Sequence, residues 1–535
     1  MGRTVKLAVP AILLIAVMVI VLSQFTAASG GGGQSSMYAT FWSLVPPLVA
    51  IVLALITREV YSSLFVGILV GGLFYADFSP ALALEGIIGI LIDWNDAAIM
   101  LFLVALGILL VLMNKAGGSG AYARWAVKRI KTKRGAQFAT IGLGILLFVD
   151  DYFNCLTVGN IMMPLTDRHK VSRAKLAYIV DCTAAPICII APVSSWAAAV
   201  AANISGEAGL NGFTLFVRSI PYNFYALLTI LMMVYLTAVK FDFGPMARQE
   251  KLAENKGDLF GGLGDEYASV TTEDNRKGKV YDLVLPVLVL IASCIFGLLY
   301  TGGLFEGGVG IYEAFGDCDA PVGLAMGSLI ALIFTFLLYI PRKVISFKQF
   351  TDSLPEGFRR MVPALLILTL AWTLAGLCRD GLGAKGFVEG TLGSNPQFGI
   401  LLPAIFFLIA MGVSFSTGTS WGTFAILIPI VVSIFPESSE LILVGIAACL
   451  AGAVFGDHVS PISDTTIMSA TGAQCNLILH VTTQMPYALL AAAVSFVGFV
   501  LAGVIQSAWV VLPICAALLL AVLVVIKLKT EKPKA

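Results

Sequence analysis

Apolar residues run in long blocks along nearly the whole chain, without the alternation of a half-buried strand, and short polar or glycine-rich connections separate the blocks. A membrane-spanning helix needs about 20 apolar residues. On that measure the pattern predicts helices at 7–25, 41–57, 62–75, 97–113, 176–203, 217–239, 283–301, 320–340, 361–377, 440–472, 484–505 and 508–527, with the weaker segment 81–95 lying at the interface. The stretches 136–165 and 398–435 behave differently. The first lies between "YARWAVKRIKTKRG" and "TDRHKVSRAK", both basic and so both cytoplasmic by the positive-inside rule. A single crossing cannot end on the side where it began, so 136–165 reads as a re-entrant hairpin of two half-helices meeting at "FVDDYFN". The loop 302–319 carries Glu306, Glu313, Asp317 and Asp319 without Lys or Arg and belongs outside, whereas "PRKVISFKQF" and the tail "KLKTEKPKA" belong inside. That register leaves both ends of 398–435 outside and makes it a second hairpin entering from the opposite face, although Arg379 and Lys385 in the preceding loop run against this orientation.

A weak internal repeat follows the same plan. "TVGNIMMPL" in the first hairpin is matched by "TFAILIPI" in the second, and "IAPVSSW" at 190–196 by "VSPISDT" at 459–465. The pairs Pro164 with Pro429 and Pro192 with Pro461 are 265 and 269 residues apart. The expected fold is an all-α polytopic membrane protein of about 12 transmembrane helices plus two oppositely oriented re-entrant hairpins in an inverted-topology repeat. Its parts are an extra N-terminal helix and glycine-rich linker (1–40), a first repeat (41–239), a cytoplasmic linker (240–282), a second repeat (283–505) and a C-terminal helix with a basic tail (506–535). Residues 1–28 read as a retained helix, with a cleaved signal as the rival. Both termini are expected in the cytoplasm.

Composition narrows the class. The chain is 58% hydrophobic and 12% charged, against about a quarter charged in a soluble domain. Thirty-three basic and 32 acidic residues leave a net charge of +1, which gives no general argument for a nucleic-acid partner. The nine cysteines are scattered, with no CxxC pair and no metal-ligand spacing, and read as small buried hydrophobes. No GxxxxGK[ST] motif is present, so direct ATP coupling is not expected, and no cofactor is implied.

The candidate chemistry sits where the predicted helices break. Pro461 lacks an N–H and disfavours helix at Ser460, so the helix 440–472 is expected to unwind near 456–462. Unwound backbone at membrane depth is tolerated only against protein or a cavity. Its carbonyls and the hydroxyls of Ser460, Ser463, Thr465 and Thr466 are hard oxygen donors, and Asp457 and Asp464 have no basic partner within their own segment. A carboxylate that holds either a proton or a cation is the minimal machinery of ion/proton exchange. The first half offers Asp150, Asp151, Asn154 and Thr157 at its hairpin tip, and Asp181, Thr183, Ser194 and Ser195 around Pro186 and Pro192. The second tip, "FSTGTSWGT", carries no acid and offers Ser416, Thr417, Thr419 and Ser420. A hard cation is therefore expected between Asp150, Asp457 and Asp464, with Asp151, Asn154, Ser460 and Thr465 beside it. Asp181 is either a site group or an orienting cap, His458 either a proton carrier or a structural neighbour. Trp196 and Trp421 read as packing aromatics, and His169 and His480 as incidental residues of connections.

The stretches 148–196, "FSTGTSWGTFAILIPI" (415–430) and "FGDHVSPISDTTIMSATGA" (455–473) resemble the signature regions of the NhaC-type sodium/proton antiporter family. "TREVYSSLFVGILVGGLF" (57–74) and "KRIKTKRGAQ" (128–137) are similar to it as well. The resemblance covers about 41–505 and implies a secondary transporter of a bacterial or archaeal plasma membrane. The family's polar motifs fall on Asp150, Asp151, Asn154, Asp457, Ser460, Asp464 and Thr465. Relatives also include exchangers of small organic anions, so Na⁺-coupled transport of an organic acid or amino acid is the alternative to Na⁺/H⁺ antiport. An intramembrane aspartyl protease is disfavoured because "FGDH" lacks the first glycine of a GxGD motif. Segments 81–95 and 346–360 are candidate arms of a homodimer, by analogy with hairpin-containing transporters.

Overall fold

The computed structural model describes residues 35–57, 59–94, 97–204, 211–262, 277–384, 387, 396–435 and 439–531. The expected helix 7–25 and its glycine linker lie outside them. All regular structure among the described residues is helical.

The chain begins with α1 (Val45–Thr57) and α2 (Val60–Tyr75), and α3 (Pro80–Trp94) turns from α2 by 116° through Asp77 and Phe78, both at positive φ. Next come α4 (Ala97–Ala116) and the short basic α5 (Gly118–Arg129). The first hairpin is α6 (Lys133–Leu146) packed against α7 (Asp151–Arg168), with non-helical backbone only at 147–150. After it the chain is broken twice, into α8 (Arg173–Thr183), the single turn α9 (Ala185–Cys188) and α10 (Ser195–Ile204). α11 (Gly212–Ser219), α12 (Phe224–Val239) and α13 (Gly244–Lys256) complete this half.

The second half opens with α14 (Tyr281–Thr301), α15 (Ile311–Gly316), α16 (Ala320–Tyr339) and the 30-residue α17 (Phe347–Gly376). Its hairpin is α18 (Pro396–Thr417) with α19 (Ser420–Ile434), turning at Gly418. Then follow α20 (Glu440–Val459), α21 (Asp464–Gly472), α22 (Leu477–Ile505) and α23 (Ala508–Glu531). α20 is the centre of the molecule, because its whole apolar window is buried, while α23 is buried over only 22% of its own and lies at the rim.

Nine helices among the described residues are long and apolar enough to cross a membrane. The expected spans 41–57 and 62–75 fold as helices of 13 and 16 residues, and 176–203 is interrupted. Residues 399–417, expected as half of a hairpin, are long enough to span alone, so the arms of the second hairpin are unequal. The break in 440–472 is also shorter than expected. Helix continues through Asp457 and His458 to Val459, and only 460–463 leave it, with Ser460 in the extended conformation that a residue before proline prefers. The carbonyls of 456–459 therefore belong mostly to helix rather than to unwound chain.

Two close approaches hold the hairpins against the second break, the first of them across the halves. Gly159 of α7 meets Gly472 of α21 so tightly that a Cβ on Gly159 would lie 2.4 Å from the Gly472 carbonyl carbon. Gly418, at φ +70°, sits against Ile462, where a Cβ would fall 2.4 Å from the Ile462 carbonyl oxygen. Each contact presses a hairpin against the broken segment 460–472.

Candidate ion-binding site

The two hairpin tips are built alike. In the first, Val149 O accepts from Ser195 N at 2.9 Å; in the second, Gly418 O accepts from Asp464 N at 3.2 Å. Both donors and both acceptors are related by the same 269-residue offset as Pro192 and Pro461. The residue after each acceptor caps the second hairpin helix: Asp150 Oδ1 accepts from Phe153 N at 2.8 Å, and Thr419 Oγ1 from Gly422 N at 3.4 Å. Four helix N-termini, of α7, α10, α19 and α21, thus meet where tips and breaks cross. Free N–H groups there favour negative side chains, and Asp150, Asp151 and Asp464 occupy these positions.

Asp457 lies at the centre, fully buried on the last turn of α20. Its Oδ2 accepts from Ser420 Oγ of the acid-free tip and from Thr465 Oγ1 beyond the break, each at 2.8 Å, while Oδ1 has no hydrogen-bond partner. Asp464, half-buried, accepts from the hydroxyl of Tyr152 at 2.6 Å. Asp150 Oδ2 and Asp151 Oδ2 are buried without a formed hydrogen bond; Ser195 and the Trp196 indole face them short of bonding geometry. No Lys or Arg within 4 Å pairs with any of these four carboxylates among the described residues. Arg360 of α17 is the basic group whose charge reaches Asp150, and its guanidinium stands 5.8 Å from the Phe153 ring.

The carboxylates expected to share one Na⁺ do not converge. Among the described residues no three acidic, His or Cys side chains could grip a single ion together. The oxygen-rich point is instead Asp457 with Ser420 and Thr465, and Ser463 Oγ stands 3.2 Å from Thr465 Oγ1. Several other predicted residues bond backbone. Ser460 donates to Phe415 O, Ser194 to Cys188 O, and Thr417 to Val413 O. Asn154 Nδ2 ties Gly144 O and Thr183 O, leaving its Oδ1 buried and unpartnered, and Thr157 is buried on α7. Trp196 and Trp421, one from each half, pack edge to face at 5.9 Å.

A second polar cluster lies next to the first. Asp181 accepts from Gln484 Nε2 at 2.6 Å and Ser469 Oγ at 3.1 Å, and His480 Nε2 stands 3.4 Å away. Gln484 also donates to His458 O at 2.9 Å, and His458 Nδ1 is 2.9 Å from the Tyr225 hydroxyl. Thr466 joins the clusters, donating to Asp457 O at 3.0 Å and reaching Asp181 Oδ2 at 3.4 Å. Asp181 is therefore buried among α8, α21 and α22 rather than capping a helix end. His480, expected in a connection, is fully buried in α22 because that helix starts at Leu477, earlier than its apolar run, with Asn476 as its cap. His169 remains peripheral, 3.3 Å from Ile130 O.

Paired hairpins and broken helices with acids at their crossing, inside a bundle of apolar spans, define a multi-pass helical membrane transporter. The chain belongs to the Na⁺/H⁺ antiporter family, whose model matches residues 187–504. It is 38% identical to an uncharacterized protein of Haemophilus influenzae over 489 residues, covering 88% of this chain and 92% of that one. It is 27% identical over 218 residues to the malate-2H⁺/Na⁺-lactate antiporter of Bacillus subtilis, covering 39% of this chain and 44% of that one. An uncharacterized Na⁺/H⁺ antiporter of Haemophilus influenzae is 31% identical over 148 residues, 27% of this chain and 31% of that one. Family membership makes the coarse function that of a Na⁺-coupled antiporter in a membrane.

Proposed function

We propose that the chain exchanges Na⁺ for H⁺ across a bacterial or archaeal plasma membrane by competition of the two ions for buried aspartates. One observation carries the reading: Asp457, supported by hydroxyls from both the second tip and the broken helix, is fully buried, lacks a basic partner and keeps Oδ1 free. Na⁺ takes that oxygen with the Ser420, Ser463 and Thr465 hydroxyls turned to present oxygen. H⁺ takes it in the return half of the cycle. Asp464, Asp150 and Asp151 lie around this point and set the local charge that draws a cation in. The test is Na⁺-triggered pH change in sealed proteoliposomes without organic solute, wild type against Asp464→Asn. A response lost in a folded variant supports the reading. Full exchange by the variant removes Asp464 from the mechanism.

A second reading is Na⁺-coupled exchange of a small organic anion or amino acid. Two observations favour it: the malate and lactate exchanged by one relative, and Arg360, a half-buried guanidinium beside the first tip with no ion pair among the described residues. Na⁺ movement that appears only with an added carboxylate, and disappears in Arg360→Gln, would select it over solute-free antiport. The 1–40 helix and linker, the division into repeats at 41–239 and 283–505, and a homodimer through 81–95 and 346–360 belong to the same proposal.

A further inference from the structure

A cavity of about 600 Å³ lies away from the carboxylates, where the start of α6, the bend between α12 and α13, and the end of α23 meet. Its walls carry Lys133, Arg134, Lys240 and Lys251 over an apolar floor that includes Leu236 and Phe241. Three acids also line it, but each is already engaged. Asp242 pairs with buried Lys175 at 2.6 Å and accepts from Tyr487 at 2.7 Å; Glu250 and Glu254 both pair with Lys133 at 2.7 Å. Glu250 further accepts from Ser172 N at 2.8 Å.

That leaves Arg134, Lys240 and Lys251 without an ion pair among the described residues, all exposed around one concavity. Lys240, at φ +54°, is the left-handed cap at which α12 ends. α6 begins in the cavity wall, so the positive end of its dipole adds to the three cations. The site adjoins the basic run 128–134, which the positive-inside rule assigns to the cytoplasmic membrane surface, the level of lipid phosphates.

We propose that this cavity binds the phosphate of an anionic phospholipid headgroup. Arg134, Lys240 and Lys251 contact the phosphate, and the apolar floor takes the first carbons of the lipid. The occupant clasps the first hairpin's outer end to α12, α13 and the C-terminal helix.

The test is the melting temperature of the purified full-length protein in detergent, with phosphatidylglycerol, phosphatidylcholine or inorganic phosphate added. Two charge-matched variants are compared. One changes the cavity (Arg134→Gln, Lys240→Asn, Lys251→Gln), with Asn chosen because it tolerates positive φ. The other changes exposed neighbours outside it (Lys128→Gln, Arg129→Gln, Lys131→Gln). Phosphatidylglycerol is expected to raise the wild-type melting temperature by roughly 3–5 °C, to do the same for the neighbour variant and to do nothing for the cavity variant. An equal rise in both variants would mean diffuse surface attraction and overturn the proposal. A full rise with inorganic phosphate alone would overturn the lipid as occupant in favour of a soluble anion.

Discussion

Asp457 has one oxygen engaged and one free, and its environment was only half legible beforehand. Its isolation from Lys and Arg can be read along the segment 440–472; its Ser420 partner, 37 residues away, cannot. The same limit hides Tyr152, which stands in "FVDDYFN" but meets Asp464 across 312 residues. A hydrogen bond to a charged group contributes about 1.5–3 kcal/mol, so Tyr152→Phe is expected to weaken apparent Na⁺ affinity by about tenfold or more, read from the Na⁺ dependence of proteoliposome exchange. An unchanged affinity would show that the hydroxyl only packs. Gln484→Met tests the second cluster at similar volume. It strips Asp181 of its shortest hydrogen bond and frees the His458 carbonyl, a loss of roughly 1–3 kcal/mol, so the variant should melt earlier than wild type in detergent. His480 reads as a connection residue, and Arg360 carries no signal, for a simpler reason: each lies in a polar interruption that looks like the edge of an apolar run rather than helix interior.

The elements were more legible than their interruptions. Apolar length and basic flanks place helices such as α4, α14 and α16 to within a few residues, because bilayer thickness and loop charge act on sequence directly, whereas α17 and α22 begin well before their apolar runs. Where a helix stops inside the protein depends on local backbone chemistry, and there Pro461 marks the break while leaving Asp457 and His458 in helix. Gly418 is the sharper test of how a tip is made. At φ +70°, with Ile462 O lying 2.4 Å from where a Cβ would be, Gly418→Ala must pay backbone strain of about 1–2 kcal/mol and push the tip off the break. Exchange should fall by at least tenfold in membranes holding a normal amount of the variant. Gly399→Ala, on the same hairpin but with nothing within 4 Å of the new Cβ, should keep wild-type exchange and gain slightly in stability.

For the whole molecule the repeat in the sequence is faint, two short matches, yet its spatial counterpart is detailed: the same 269-residue offset relates a tip carbonyl, a restarting amide, a helix cap and a proline in both halves. In an inverted-topology repeat the halves are inserted in opposite senses, which lets each tip approach the centre from its own side. Orientation is therefore the property on which the architecture turns, and loop charge predicts it. On that basis Glu313, on the short α15, is expected outside and Lys348, in the first turn of α17, inside. All nine native cysteines are buried, so a single cysteine added at either position will dominate labelling without removal of the others. In intact cells Glu313→Cys should react with a membrane-impermeant maleimide, while Lys348→Cys should react only after permeabilisation. Labelling of both in intact cells, or the reverse order, would overturn the orientation that loop charge gives the second half and with it the entry of the second hairpin from the outer face.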